Sequence, residues 1–325
     1  MKIKIIAVLL IFLFSCQKED FEIAVPENNI SEKLVVHSTL RPFSFTSNNQ
    51  LLTVEIQATT SFNDETRKKI ISDATVILKK NNTETDTLEY IDSLKTYLID
   101  LNNIANYPIA NDTFTITVNR QDYKTVSSKT ILPDKVAITG SDIIPIAFFD
   151  DSEPARPVSE ASINFNDPAE TENYYELILS DITEREDTYF ELTTNNKFIT
   201  SESYYPTSFE FDKTKPKSLL FSDKMFNGQE VAINVFYMCP FIIIEGIKTI
   251  PTHYITIHLR NVTKEYYLYK TTAMKQRYSL QENILYGVGE PVDIYTNIKN
   301  GYGLFGAYNY DINQHRIEEI IIDEK

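Results

Sequence analysis

The residue with the clearest chemistry is Cys16, which closes the stretch Leu13-Phe14-Ser15-Cys16. Lys2 and Lys4 precede an apolar run from Ile5 to Phe14, then one small residue, then this cysteine. A basic start, a short apolar segment and a small residue before Cys form the pattern of a bacterial export leader cut ahead of a lipid-bearing cysteine. The chemistry expected at Cys16 is a thioether to a glyceride, with more than one acyl chain making a stable anchor. As a helix the apolar run spans about 15 Å, half of the ~30 Å that a membrane span must cross. It reads as a leader and not as a span. The plainer alternative is an ordinary leader with an incidental cysteine.

Other reactive residue types are thinly spread. His253 and His258 share an expected strand but lie an odd number of residues apart, so they face opposite ways and cannot chelate one metal from it. His37 and His315 are distant in sequence, and no zinc-protease, nucleophile-elbow, P-loop or EF-hand motif occurs. The acids around Asp181–Asp187 read as a solvated face, since a catalytic dyad needs apolar enclosure to split its pKa values. Cys239 lies between Met238 and Pro240 in an apolar stretch and reads as a buried, inert thiol. With Cys16 lipidated it has no internal disulfide partner. Gly301-Tyr302-Gly303-Leu304-Phe305-Gly306 is formally a dinucleotide fingerprint, but no helix-forming sequence follows it. No cofactor, metal or catalytic residue is expected, and the chain reads as a non-enzyme. Buried, pKa-shifted carboxylates or histidines converging in a cleft would reverse that reading.

The elements that must position these residues are mostly strands. Leu52, Val54, Ile56 and Ala58 alternate with polar residues, as do Ala74, Val76 and Leu78, and Phe114, Ile116 and Val118. Such alternation marks half-buried antiparallel strands. With Leu34–Leu40, Thr87–Ile91 and Lys95–Ile99 it predicts an immunoglobulin-like or transthyretin-like β-sandwich over residues 33–132. A second, antiparallel β-rich domain is expected over 133–325, from Ala161–Phe165, Tyr174–Leu179, Tyr189–Thr193, Val231–Tyr237 and Tyr254–Leu259. It carries one amphipathic helix with Val262, Tyr266, Tyr269 and Ala273 at helical spacing, started by Asn261 or Thr263. Asn227-Gly228 predicts a hairpin between Leu219-Leu220-Phe221 and Val231–Tyr237. Asn300-Gly301 predicts another, between Pro291–Ile298 and Tyr302–Tyr308. Residues 145–157, with three prolines and three acids, read as a loop. Glycines 303 and 306 inside a strand mark a bulge or the close approach of another backbone.

Residues 1–15 are then the leader and 16–32 a lipidated, flexible tether. The formal charge of −15 becomes −17 when Lys2 and Lys4 leave with the leader, which makes nucleic acid an unsuitable partner. After Cys16 the best candidate for a span, Cys239 to Ile244, stops at Glu245, far short of the length needed. There is no Trp, so twenty Tyr and nineteen Phe must supply the aromatic area of the core.

Leu34-Val35-Val36, Asp73-Ala74-Thr75-Val76, Asn173-Tyr174-Tyr175 and Asn227-Gly228-Gln229 occur in that order. Glu290-Pro291-Val292 and Asn297 to Gly306 complete the set. Together they resemble a family of Bacteroidota outer-membrane lipoproteins catalogued as domain of unknown function 4249, with Asn297, Gly301, Gly303, Phe305 and Gly306 as structural signature residues. The resemblance covers the whole mature chain. On composition, Lys18-Glu19-Asp20 is part of a solvated linker; the resemblance implies instead a surface-export signal. It also implies a surface-exposed outer-membrane lipoprotein that partners a TonB-dependent β-barrel receptor in nutrient capture or uptake. The competing expectation is a stand-alone adhesion or structural surface module.

Overall fold

Stretches of period two become strands where burial on one face rewards the alternation. The computed structural model describes residues 32–42, 51–60, 69–102, 107–153, 155–182, 187–199, 216–244, 247–286 and 292–322. The first part supplies β1 (Leu34–Leu40), β2 (Leu51–Ala58), β3 (Lys69–Ile70), β4 (Thr75–Lys80), β5 (Glu84–Thr87), β6 (Glu89–Ile91), β7 (Thr96–Asp100), β8 (Thr113–Asn119) and β9 (Val126–Ile131). The middle supplies β10 (Ile138–Phe149), β11 (Pro157–Asn166), β12 (Tyr174–Ile182), β13 (Asp187–Tyr189), β14 (Leu192–Thr193), β15 (Leu219–Ser222) and β16 (Glu230–Met238). Then come β17 (Ile242–Ile244), β18 (Ile247–Ile250), β19 (His253–Val262), helix α1 (Lys264–Tyr286), β20 (Tyr302–Ile317) and β21 (Ile320–Ile322).

Two apolar cores result. Leu34, Val36, Val54, Ile56, Val76, Leu78, Phe114 and Ile116 fill the first, between the β1-β2-β7 part of the large sheet and the sheet β5-β4-β8-β9. Ala161, Ile163, Phe165, Leu177, Leu179, Ile233, Val235 and Ile257 fill the second, between β12-β19-β20 and the sheet β10-β11-β16-β14. The cores divide between Leu132 and Val136, while Ile298, Phe305 and Ala307 cross back into the first. One sheet runs through both, in the order β13-β12-β19-β20-β1-β2-β7-β6, and Glu32–Lys325 form one unit. β20 is its joint: residues 308–317 pair antiparallel with β19, and residues 302–307 pair parallel with β1. Every other pairing among the described strands is antiparallel.

Four expectations need correction. Asn227-Gly228 does turn, with Gly228 at φ +72 and the Gln229 N–H donating to the Phe226 carbonyl at 2.9 Å. It does not close a hairpin, because β15 joins β12 while β16 joins β11 in the facing sheet. Leu219, Leu220 and Phe221 are all buried, the mark of a strand covered on both faces. Residues 292–298 form no strand, and Lys299 bridges Ser127 of β9 instead. β10 runs through the expected loop to Phe149, absorbing Pro145 in a register shift between Ile144 and Phe148 on a sheet edge. Tyr189–Thr193 is broken: β13 stays on β12, whereas β14 crosses to β16.

Helix α1 starts at Thr263, whose hydroxyl accepts the Tyr266 N–H at 3.3 Å, and Glu265 suits the positive end of the helix dipole. Tyr266 is buried against Leu304, Tyr174, Leu220 and Val262, while Lys264, Lys270 and Arg277 are exposed. The tyrosine stripe is packing on the sheet.

Candidate functional site

Cys16, Lys18, Glu19 and Asp20 lie outside the described residues. The signature residues are described, and they gather on β20. The Asn297 amide donates to the Phe305 carbonyl at 2.8 Å and accepts the Phe305 N–H at 3.0 Å. Two residues on, the Thr263 N–H reaches the Ala307 carbonyl at 2.9 Å. β19 ends at Val262 opposite Tyr308, so Thr263 and then Asn297 take over the polar edge of β20 that β19 no longer covers. A buried backbone edge has to be satisfied somewhere, and a side-chain amide does the work of a strand here. Gly303 lies against the backbone of Val36 at φ +108. Gly301 is buried beside the Leu34 carbonyl and Gly306 beside the Tyr266 ring. The signature joins β20 to β1 and α1 and exposes no reactive group.

Next to this joint is a cleft of about 810 Å³, formed by the exit of β9, the loop before β12 and the first turn of α1. Its frame is asparagine-built. The side-chain amides of Asn261 and Asn309 donate to the Asp134 and Pro133 carbonyls, both at 3.0 Å. Asn111 donates to the Asp134 carboxylate at 3.1 Å. On the rim Lys264 pairs with Glu172 at 3.1 Å. The Tyr174 hydroxyl and Lys264 hold the Glu172 carboxyl below its usual range. Burial, then the hydrogen bond to Glu172, pushes the Tyr174 phenol up to about 12. The described lining includes no His, Cys or Ser. The frame offers hydrogen-bonding and charged groups to a polar ligand.

The titratable groups are distributed as ties between elements. His315 Nε2 lies 2.8 Å from Ser141 Oγ, joining β20 to β10, and His258 Nε2 lies 3.1 Å from Ser180 Oγ, joining β19 to β12. His37 Nδ1 meets the Tyr269 hydroxyl at 3.4 Å, joining β1 to α1. His253 is buried with Nδ1 2.7 Å from the Pro251 carbonyl. Glu176, also buried, accepts from Arg260 at 2.8 Å and from the Tyr266 hydroxyl at 2.9 Å. The Arg260 guanidinium lies over the Tyr308 ring at 4.4 Å. Desolvation works against the charged guanidinium, but the attractions of Glu176, Tyr308 and Tyr266 and the hydrogen bond to Glu176 together outweigh it and raise Arg260 further.

Asp181 was expected on a solvated face and is instead buried, with Oδ1 unpartnered. Burial raises its carboxyl, against the opposing charge of His253. The signal lay in the sequence: Tyr175, Leu177 and Leu179 set an inward period of two, and Asp181 is its next member. Among the described residues, no three His, Cys, Asp or Glu converge to hold a metal ion. None of the described helices is long and apolar enough to cross a membrane.

No curated protein matches the chain in sequence. Among solved structures, the BSP domain of a biofilm associated protein shares 10% identity at a TM-score of 0.19, over 71% of this chain and 56% of that one. A Corynebacterium diphtheriae protein described as membrane anchored shares 10% at 0.22, over 70% and 54%. The Fcho1 Mu homology domain of Danio rerio, with a bound Eps15 peptide, shares 9% at 0.16, over 86% and 92%. The chain spans little more than half the length of the first two, and scores this low carry no argument about function. A family model does match, over residues 18–313, and the chain belongs to the family described as Domain of unknown function (DUF4249).

Proposed function

We propose that this chain is a lipid-anchored, surface-exposed outer-membrane protein that accompanies a TonB-dependent β-barrel receptor in capturing or admitting a nutrient. Its role is binding and not catalysis. The observation that carries the reading is the order Lys2, Lys4, apolar run, Leu13-Phe14-Ser15-Cys16, directly ahead of the family region that begins at residue 18. A short apolar run that ends on a small residue and a cysteine supports an export leader followed by a lipid anchor. Lys18-Glu19-Asp20 supports onward export to the surface by its resemblance to that signal. The strong negative charge suits a body exposed to solvent, where it limits non-specific sticking.

Mass spectrometry of the detergent-extracted protein should find an acylated N-terminus at Cys16. Protease added to intact cells should remove the body. Affinity purification of the tagged protein from gently solubilised membranes should bring a β-barrel receptor with it. An unmodified leader, or a body shielded from protease, overturns the anchor and the location. A lipidated, exposed protein that purifies without a barrel leaves the adhesion or structural module as the function.

A further inference from the structure

One end of the molecule gathers exposed apolar side chains. The β10–β11 pair arrives there at Phe149 opposite Pro157, and β16 arrives at Met238 and leads through Pro240 into the small sheet β17-β18-β21. Phe148 and Phe149 are 47% and 44% exposed, and Ile242, Ile247 and Ile321 are 45%, 51% and 60% exposed. Ile242 and Ile321 both stand opposite Thr249, so they share one face of that sheet with Ile247. Ile250 and Ile322 point the other way, into the second core. The outer face is therefore apolar without being part of the core.

β20 measures how far this end lies from Glu32. Ile317 pairs with His253 beside the small sheet, whereas Tyr302 pairs with Val35 at the other extreme. Sixteen residues of strand extend about 50 Å. At the far extreme Glu32, the first described residue, is held by Lys69 and by the Tyr123 hydroxyl.

The rim of the apolar end is acidic. Asp151 and Glu153 are exposed in the loop between β10 and β11, and Glu318 and Glu319 are exposed before β21. The nearby basic groups are engaged: Arg156 with Asp150 at 2.8 Å, Arg316 with Glu318 at 3.0 Å, and the buried Lys248 with the Ala155 carbonyl at 3.4 Å. A bilayer-seeking patch carries Lys and Arg around its apolar centre, the reverse of this arrangement. Two copies meeting end to end would bring like charges together.

We propose that this acid-rimmed apolar end is a docking surface for a protein whose own apolar patch is ringed by Lys and Arg, namely the barrel receptor of the function proposed above, on which this inference rests. Apolar anchors at the centre supply the affinity, and the charged rim selects the partner.

The test uses the tagged, full-length, lipidated chain in the cells that make it. Ile242→Asp with Ile321→Asp places carboxylates on the exposed face. Leu94→Asp with Ile109→Asp does the same at residues 60% and 59% exposed in the first sandwich. Wild type and the control pair should co-purify the receptor equally, and the tip pair should lose it at least about tenfold, with an unchanged melting temperature showing an intact fold. Full recovery of receptor by the tip pair overturns the docking surface and leaves the proposed function standing. A wild-type protein that brings down no receptor overturns both. A photocrosslinker at Ile321 that captures a second copy overturns the inference. So does flotation of the unlipidated body with phosphatidylethanolamine–phosphatidylglycerol vesicles that depends on residues 242 and 321.

Discussion

The carbonyl oxygen of Val36 stands 2.0 Å from the point where a Cβ on Gly303 would begin. Two strands from opposite ends of the chain meet there, at a spot with room only for hydrogen. Gly303 also holds a backbone conformation at φ +108 that side chains disfavour. Gly303→Ala should cost at least about 3 kcal/mol or prevent folding, read from the urea midpoint. Gly228→Ala, at φ +72 in a turn where a Cβ would come 2.7 Å from that of Ala169, should cost about 1–2 kcal/mol. Equal midpoints for the two variants would show that β1 can slide away from β20.

Asn297→Ala removes both partners of the Phe305 backbone in one step. Phe305 is fully buried, so water cannot replace them, and the expected loss is about 2–4 kcal/mol. Asn297→Gln keeps the amide but lengthens its stem by a methylene, and should recover less than half of that loss. Chemical denaturation of the three proteins side by side decides the matter.

Arg260→Met should be far worse than Glu176→Gln. The first strands a carboxylate whose side chain is 3% exposed, a loss of about 3–5 kcal/mol. The second keeps an acceptor for Arg260 and for the Tyr266 hydroxyl. Similar melting temperatures for both variants would refute the order.

Asp181 should make the protein less stable as pH rises. A carboxyl whose pKa is raised by folding contributes stability that is fully present below the unfolded value of about 3.9 and is lost as pH climbs through the folded value. Asp181→Asn should therefore melt above the wild type at neutral pH, with the gap closing as pH falls toward 4. Asp223, raised chiefly by burial, acts in the same sense, so the difference between variant and parent is the quantity to follow.

Cys239 is 4% exposed, and burial pushes its thiol up. A disulfide exchange reagent should find it silent in the native protein and reactive in urea. Fast labelling of the folded form would mean that the end of β16 opens.

Strands that bury one face could be read directly from the sequence. Leu34–Leu40 has the same bounds in the structure, and Phe114, Ile116 and Val118 all point into the first core. Pairing could not be read in the same way. Leu219-Leu220-Phe221 and Val231–Tyr237 look like hairpin neighbours, because nothing local reveals that a 3-10 turn at Asp223–Met225 carries the chain into a different sheet. Asn297 falls in the same class, as its two hydrogen bonds depend on β19 stopping at Val262. The cleft was equally hidden: Asp134, Glu172 and Lys264 come from three remote segments, each polar and unremarkable alone. Alternation reports which way a side chain faces, whereas a site depends on which surfaces are brought together.

β1 is among the first strands synthesised and β20 among the last, yet they pair residue by residue. The first sandwich cannot close until the ribosome has made residues 302–307, and contacts this distant form slowly. On the export route proposed above, that delay keeps the polypeptide threadable while it passes through a translocation channel. The same dependence makes premature stop codons severe. A product ending near residue 300 would lack the edge that completes both halves, so proteolytic clearance, and not a working fragment, is its expected fate.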